Sequence, residues 1–214
     1  VGNTTNQQKV IGLTGTYCAG KNYIGRLLEE RGLPVLDVDK LGHRAIETER
    51  EAILKRFGED ILGTDGAIDR RLLGEKVFGK GENLAALEGI VHPAANRMTS
   101  EWIAAQRDEQ EGKPCVINAA LLHRSSAFPQ LDCIILVQAP TLTRLLRARK
   151  RDGLSFGQIL RRFGSQKKFT PQYFEKKADI YIIENRGYFG FCASLYRRRI
   201  DNRLNEILSR VGMA

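Results

Sequence analysis

Apolar positions along this 214-residue chain change rhythm repeatedly, between short β-favouring runs and helical spacing. Val10, Ile11 and Leu13 predict a first strand. Ile24, Leu27 and Leu28 then recur on one helical face to about Arg31, where Gly32 supplies a stop. Pro34 opens a second strand through Val35, Leu36 and Val38. From about 40 to 107 the pattern is helical with glycine breaks. Ile53, Leu54 and Phe57 end at Gly58; Leu72, Leu73, Val77 and Phe78 end at Gly79. Leu84, Leu87, Ile90 and Val91 lead to His92-Pro93, and another amphipathic segment surrounds Trp102. Cys115-Val116-Ile117 and the run from Cys133 to Val137 read as buried strands. Leu142, Leu145 and Leu146 begin a helix whose other face carries Arg144, Arg147, Arg149 and Arg151, and which stops at Asp152-Gly153. Ser155 and Gln158 form a capping box for the next helix, with Ile159, Leu160 and Phe163 on its buried side. A last strand from Ile180 to Ile183 precedes a closing helix through Leu195, Ile200, Leu204 and Leu208. Strands alternating with helices in this way imply a three-layer α/β fold with a parallel sheet.

Between the first strand and the first helix, Gly15 to Lys21 fits G-x-x-x-x-G-K. Gly15 and Gly20 let the backbone turn so that consecutive N–H groups face phosphate oxygens, at the positive end of the following helix. Lys21 adds a mobile point charge for the outer phosphates. The next residue, Asn22, stands where Ser or Thr would offer a hydroxyl to Mg²⁺. The second strand ends in two acids, and strand carboxyl ends border the ligand crevice of an open parallel sheet. Asp39 is expected to emerge there with Asp37 deeper, and either could instead cap the helix that starts near Lys40.

Composition narrows the function classes. The net charge of +9 is uneven: residues 1–143 carry 17 basic and 19 acidic side chains, whereas residues 144–214 carry 17 and 6, a local balance of +11. Such a segment can clamp a small polyanion or bind nucleic acid. Two basic helices flanking a glycine turn suit a lid over phosphates, because the arginine fork holds two phosphate oxygens at once. The four cysteines are scattered without zinc spacing, which points to a reducing cytoplasm. The polar stretch 1–8 reads as a disordered lead-in without a signal peptide, and no apolar run reaches membrane-spanning length.

Several segments together resemble the dephospho-coenzyme A kinase family. They are GLTGTYCAGK, VLDVDKLGH, IDRRLLGEKVF, LEGIVHP, RARKRDGLS with RRFGSQ, and KKADIYIIENRG, in order from Ile11 to about Gly187. The resemblance implies a single P-loop kinase domain over 9–214, with a helical acceptor-binding insertion at about 40–107 and a lid at about 147–175. It implies transfer of the ATP γ-phosphoryl group to the ribose 3′-hydroxyl of dephospho-CoA, with Mg²⁺. Asp39 would orient or deprotonate that hydroxyl, and Lys21 and Arg147 would neutralise charge on the transferring group. ATP would contact Gly15, Thr16, Tyr17, Cys18, Ala19, Gly20, Lys21 and Asn22, with Arg162 in the lid and Asn185 beside the adenine. Arg70 and His92 would lie on the acceptor side, and Asn22 would be the metal-side residue. Thr16 stands where the family often has Gly. INAALLHR departs from the family at Asn118, Ala120 and His123, where an acid usually precedes V-P-L-L. Small-molecule substrates are expected as partners, without nucleic acid or membrane, in a monomer or a homo-oligomer. The rival readings are a P-loop kinase of another metabolite, a non-catalytic nucleotide binder, and a nucleic-acid module using the basic segment.

Overall fold

The computed structural model describes residues 8–109, 113–165, 178–187 and 193–212. Its centre is β1 (Val10–Gly15), buried along its whole length. The strand β1 pairs in parallel with β3 (Cys115–Asn118) on one side and with β4 (Cys133–Gln138) on the other. The edge strands are β2 (Val35–Asp37) and β5 (Asp179–Glu184), giving the order β2-β3-β1-β4-β5. In register, Leu13 faces Asn118 and Ile135, so the ends of three strands arrive together beside Gly15. Gly12 is required by packing: a Cβ there would come within 2.7 Å of Leu122 and 2.8 Å of Leu131.

One face of the sheet is covered by α1 (Lys21–Glu29) and α8 (Ala193–Arg210). Ile24, Leu27 and Leu28 of α1 and Ile200, Leu204, Ile207 and Leu208 of α8 share one core with Ile11, Leu13, Ile135 and Val137. Fully burying such a side chain is worth about 1.5–3 kcal/mol. At the rim Arg31 pairs with Asp201 at 2.6 Å and Arg197 with Glu30 at 2.7 Å. Gln8, the last residue of the polar lead-in, is buried, and its side-chain amide donates to the Gln106 carbonyl at 3.1 Å.

Contacts divide the chain into two compact units, Val1–Leu36 with Ala105–Ala214, and Asp37–Ala104. The second unit holds α2 (Val38–Thr48), α3 (Arg50–Phe57), α4 (Arg70–Val77) and most of α5 (Gly81–Glu109). Its core joins Ile53, Phe57, Ile61, Ile68, Leu73 and Val77, with Leu87, Ile90 and Val91 packed against them. Asp69 caps α4, accepting from the N–H groups of Arg71 and Leu72 at 2.7 and 3.2 Å.

Two elements differ from the sequence expectation. The second strand is only three residues long, because the chain turns helical at Val38; Asp39 therefore lies in the first turn of α2 instead of at a strand end. The apolar segments before and after His92-Pro93 form one continuous helix. A proline inside a helix removes a bond to the carbonyl four residues back, here Gly89. Gly89 and Pro93 are both exposed, so that carbonyl remains open to water and the helix continues.

The basic helices are α6 (Thr141–Asp152) and α7 (Phe156–Ser165). Residues 166–175, the rest of the expected lid, lie outside the described residues. Helix α6 ends on Gly153 in the left-handed conformation, φ 64°. Ser155 and Gln158 form the expected box: the Ser155 N–H donates to Oε1 at 3.0 Å and the Gln158 N–H to Oγ at 3.4 Å. Of the faces expected to be buried, Ile159 of α7 is fully buried and Phe163 partly so, but several leucines are not. Leu142 and Leu146 are exposed, as is Leu160 of α7, while Thr143 and Ala148 are buried and Arg144 and Arg147 are partly buried. Arg144 and Arg147 share the inward stripe at helical spacing, and loop backbone carbonyls receive their charge, while the exposed Arg151 pairs with its neighbour Asp152.

Candidate active site

The loop from Gly15 to Lys21 joins β1 to α1 and is shaped by three backbone demands. A Cβ at Gly15 would come within 2.6 Å of the Val137 carbonyl oxygen. Cys18 sits at φ 59°, the left-handed region where a side chain is strained, and Gly20 follows at φ 95°. A Cβ on Gly20 would run into the Asn185 carboxamide. The turn is closed by the Ala19 N–H donating to the Thr16 carbonyl at 2.9 Å. Helix α1 begins directly after Gly20, without a side-chain cap and without an acid in its first turn. Its N-terminal amides and the Lys21 ammonium therefore favour an anion there.

Beneath the loop, Arg147 and Asn185 hold its carbonyls. Arg147 Nη1 donates to Ala19 O at 3.0 Å and Cys18 O at 3.4 Å, and its Nη2 donates to Asn185 Oδ1 at 2.9 Å. Asn185 Nδ2 donates to Ala19 O at 2.7 Å, and Oδ1 also accepts from the Tyr196 hydroxyl at 2.7 Å. Asn185 is only 3% exposed. Gly187, φ 83°, clears space for Arg147: a Cβ there would sit 3.0 Å from Nη2. With their carbonyls drawn back in this way, Cys18 and Ala19 leave the other face of the loop to N–H groups.

On the opposite flank Tyr17 joins the loop to both basic helices. Arg144 Nε donates to the Tyr17 carbonyl at 2.9 Å, and its guanidinium lies 4.2 Å from the Phe163 ring centroid. The Tyr17 hydroxyl bonds Asp152 and accepts from Arg162 Nη1 at 3.0 Å. Arg151 and Arg162 lie 5.2 and 5.3 Å from its ring, which meets Phe163 edge-on at 6.2 Å. Arg151 donates to Asp152 at 2.7 Å and is the chief reason that this carboxyl is held down at about 2. Burial pushes the thiol of Cys18 and the phenol of Tyr17 up, so both are neutral at pH 7. Asp152 is the residue that sequence reasoning missed. Its signal was that it is the sole acid between Arg144 and Phe163.

At the end of β3, Asn118 is 3% exposed, and its Nδ2 donates to Asn22 Oδ1 at 3.3 Å. Asn22 and Asn118, two of the positions that depart from the resembled motif, are thus in contact. Among the described residues no cluster of three His, Cys, Asp or Glu could hold a metal ion. The oxygens available there are carboxamide oxygens, which suit a hard cation that keeps most of its waters.

The second unit carries the acceptor-side candidates. Asp39 is exposed in the first turn of α2, Arg70 is exposed at the start of α4, and His92 is exposed on α5. The Asp37 side chain makes no cap bond to α2; one of its oxygens lies 3.9 Å from the Lys40 ammonium and the other is buried.

A parallel sheet, a glycine loop opening onto a helix and lysine, and arginines folded against that loop define a P-loop kinase fold. The profile of the dephospho-CoA kinase family matches residues 9–189. The chain is 32% identical to a dephospho-CoA kinase of Treponema pallidum over 95% of this chain and 96% of that one. It is 35% identical to a dephospho-CoA kinase of Shouchella clausii over 83% and 89%. A crystal structure of a Thermus thermophilus protein superposes with a TM-score of 0.74 at 32% identity, covering 95% of this chain and 98% of that one. The dephospho-CoA kinase of Campylobacter jejuni shares the fold at a TM-score of 0.65 and 23% identity, covering 94% and 98%. The chain belongs to the dephospho-CoA kinase family.

Proposed function

We propose that this protein transfers the γ-phosphoryl group of ATP to the ribose 3′-hydroxyl of dephospho-CoA, giving coenzyme A and ADP. The observation that carries the reading is the loop whose carbonyls are tied back by Arg147 and Asn185 at the uncapped start of α1. Phosphoryl transfer depends chiefly on positioning and electrostatic stabilisation. The loop amides and Lys21 cradle the β- and γ-phosphates. Arg147 adds positive charge behind the loop and keeps it in shape, and Asn185 serves the nucleotide through the same loop. Arg162 reaches the phosphates from the lid side. Asp39 accepts the proton of the 3′-hydroxyl or orients it for in-line attack, and Arg70 and His92 engage the anionic acceptor. Asn22 would hold Mg²⁺, which would supply neutralising charge to the phosphates. The free thiols of Cys18, Cys115 and Cys133 accord with a cytoplasmic enzyme.

Acceptor dependence of ADP release tests the proposal. With ATP and Mg²⁺ present, adding dephospho-CoA is expected to raise ADP release by at least about a hundredfold over the acceptor-free rate, well within ordinary enzymic acceleration. Equal rates with and without this acceptor would overturn it.

A further inference from the structure

We propose that Asn118 is a positioning residue for the metal side of the nucleotide site, and that it makes this side electrically neutral. The inference rests on the kinase reading above and deepens it. Asn118 ends β3 next to the strand that feeds the loop, with Leu13 as its register partner. Its backbone is fixed by the sheet, and its side chain lies against α1, where a Cβ on Gly25 would be 3.5 Å from Nδ2. From there Nδ2 holds Oδ1 of Asn22, the residue directly after the loop lysine. Asn22 itself is exposed, so this bond is what fixes its rotamer.

One polar atom remains over. Asn118 Oδ1 is buried and accepts no hydrogen bond among the described residues. A buried acceptor without a donor costs about 1–3 kcal/mol. A bound ligand that brings a donor recovers that cost, and beside a phosphate loop the donor at hand is a water of a cation's hydration shell. Mg²⁺ keeps several waters and takes oxygen ligands, and two carboxamide oxygens supply such ligands without charge. Nothing ionised stands in this pair, so nothing in it repels the phosphates of metal-free ATP. Nucleotide binding and metal binding are therefore only loosely coupled in this chain. A carboxylate in the same place would couple them tightly, because it would repel ATP alone and attract the metal complex.

Calorimetric titration with ATP, once in EDTA and once in Mg²⁺, reads that coupling without any acceptor or turnover. For the wild type Mg²⁺ is expected to tighten ATP binding only modestly, by about threefold to tenfold, for lack of charge at the pair. Asn118→Asp has the same shape and is expected to weaken ATP binding in EDTA by about tenfold while leaving or improving binding in Mg²⁺. Asn118→Ala and Asn22→Ala are each expected to raise the Mg²⁺ concentration that half-saturates the ATP-dependent thermal shift. Their double variant is expected to add little to either, as for two residues acting as one unit. A merely structural Asn118 would move both titrations equally. Equal changes in EDTA and Mg²⁺ for Asn118→Asp, or an unchanged ratio, would overturn the inference alone. Absence of ATP binding in both media would overturn the kinase reading together with it.

Discussion

Asn185→Ala is the most informative single change in the first unit, because one small side chain joins the loop, the lid helix and α8. It removes three bonds at once: Nδ2 to Ala19 O at 2.7 Å, Arg147 Nη2 to Oδ1 at 2.9 Å and the Tyr196 hydroxyl to Oδ1 at 2.7 Å. The backbone bond from Asn185 N–H to Gln138 O, 2.6 Å, survives. A neutral bond contributes about 0.5–1.5 kcal/mol net and one to a charged group about 1.5–3. Partial rescue offsets part of this sum: Ala19 O keeps Arg147 Nη1, and Tyr196 keeps a 3.4 Å contact to the Glu184 carbonyl. The expected loss is about 2–4 kcal/mol, read by urea denaturation. For a domain of this size that is a fall in Tm of roughly 5–12 °C. Because the Ala19 carbonyl is then held by Arg147 alone and the loop is less firmly shaped, ATP affinity is expected to fall about tenfold. Asn185→Asp retains the acceptors for Arg147 and Tyr196 but sets an oxygen against Ala19 O. It is expected to keep more of the stability than alanine does, and little more of the affinity. Stability within about 0.5 kcal/mol of wild type, below the worth of one buried bond, would refute this account of the loop.

Asp39→Asn keeps the shape and removes the base. Turnover is expected to fall by about 10²–10⁴-fold with ATP binding intact, and a steady-state assay within about threefold of wild type would return Asp39 to a helix-start role. Arg147→Lys loses the fork that spans Ala19, Cys18 and Asn185, so ATP affinity and turnover are both expected to drop about tenfold or more; unchanged kinetics would refute the clamp. For Asp152, the folded-state pKa of about 2 lies below the unfolded value of about 3.9. Its contribution to stability is therefore fully present above about pH 4 and is lost as the pH falls toward 2. The urea midpoints of wild type and Asp152→Asn are expected to differ at pH 6 and converge as the pH falls through that window. A gap independent of pH would mean that the ionised carboxylate does not hold the Tyr17 cluster.

The sheet and the phosphate loop were legible because local signals carried them. Val10, Ile11 and Leu13 are buried whatever surrounds them, and the Gly20 conformation is written in its residue type. The family motifs added the order of the rest. Where tertiary partners decide, the sequence misled. On α6 the leucines looked like the inward face, yet loop carbonyls receive Arg144 and Arg147, and Leu142 and Leu146 are left exposed. Hydrophobic periodicity cannot register a backbone carbonyl as a partner. The same blindness hid the Tyr17–Asp152 link and the Asn22–Asn118 pair, each joining residues far apart in the chain. The apolar segments on either side of His92-Pro93 read as separate, whereas α5 runs through Pro93 as one helix.

The central claim is the identity and position of the transferred group. Incubating the protein with ATP, Mg²⁺ and dephospho-CoA, then recording ³¹P NMR and mass spectra of the product, tests it most directly. The predicted result is one added phosphate as a monoester on the ribose 3′-oxygen, with one ADP formed per acceptor consumed. A phosphate at any other position, or ADP formed without a phosphorylated acceptor, would contradict it.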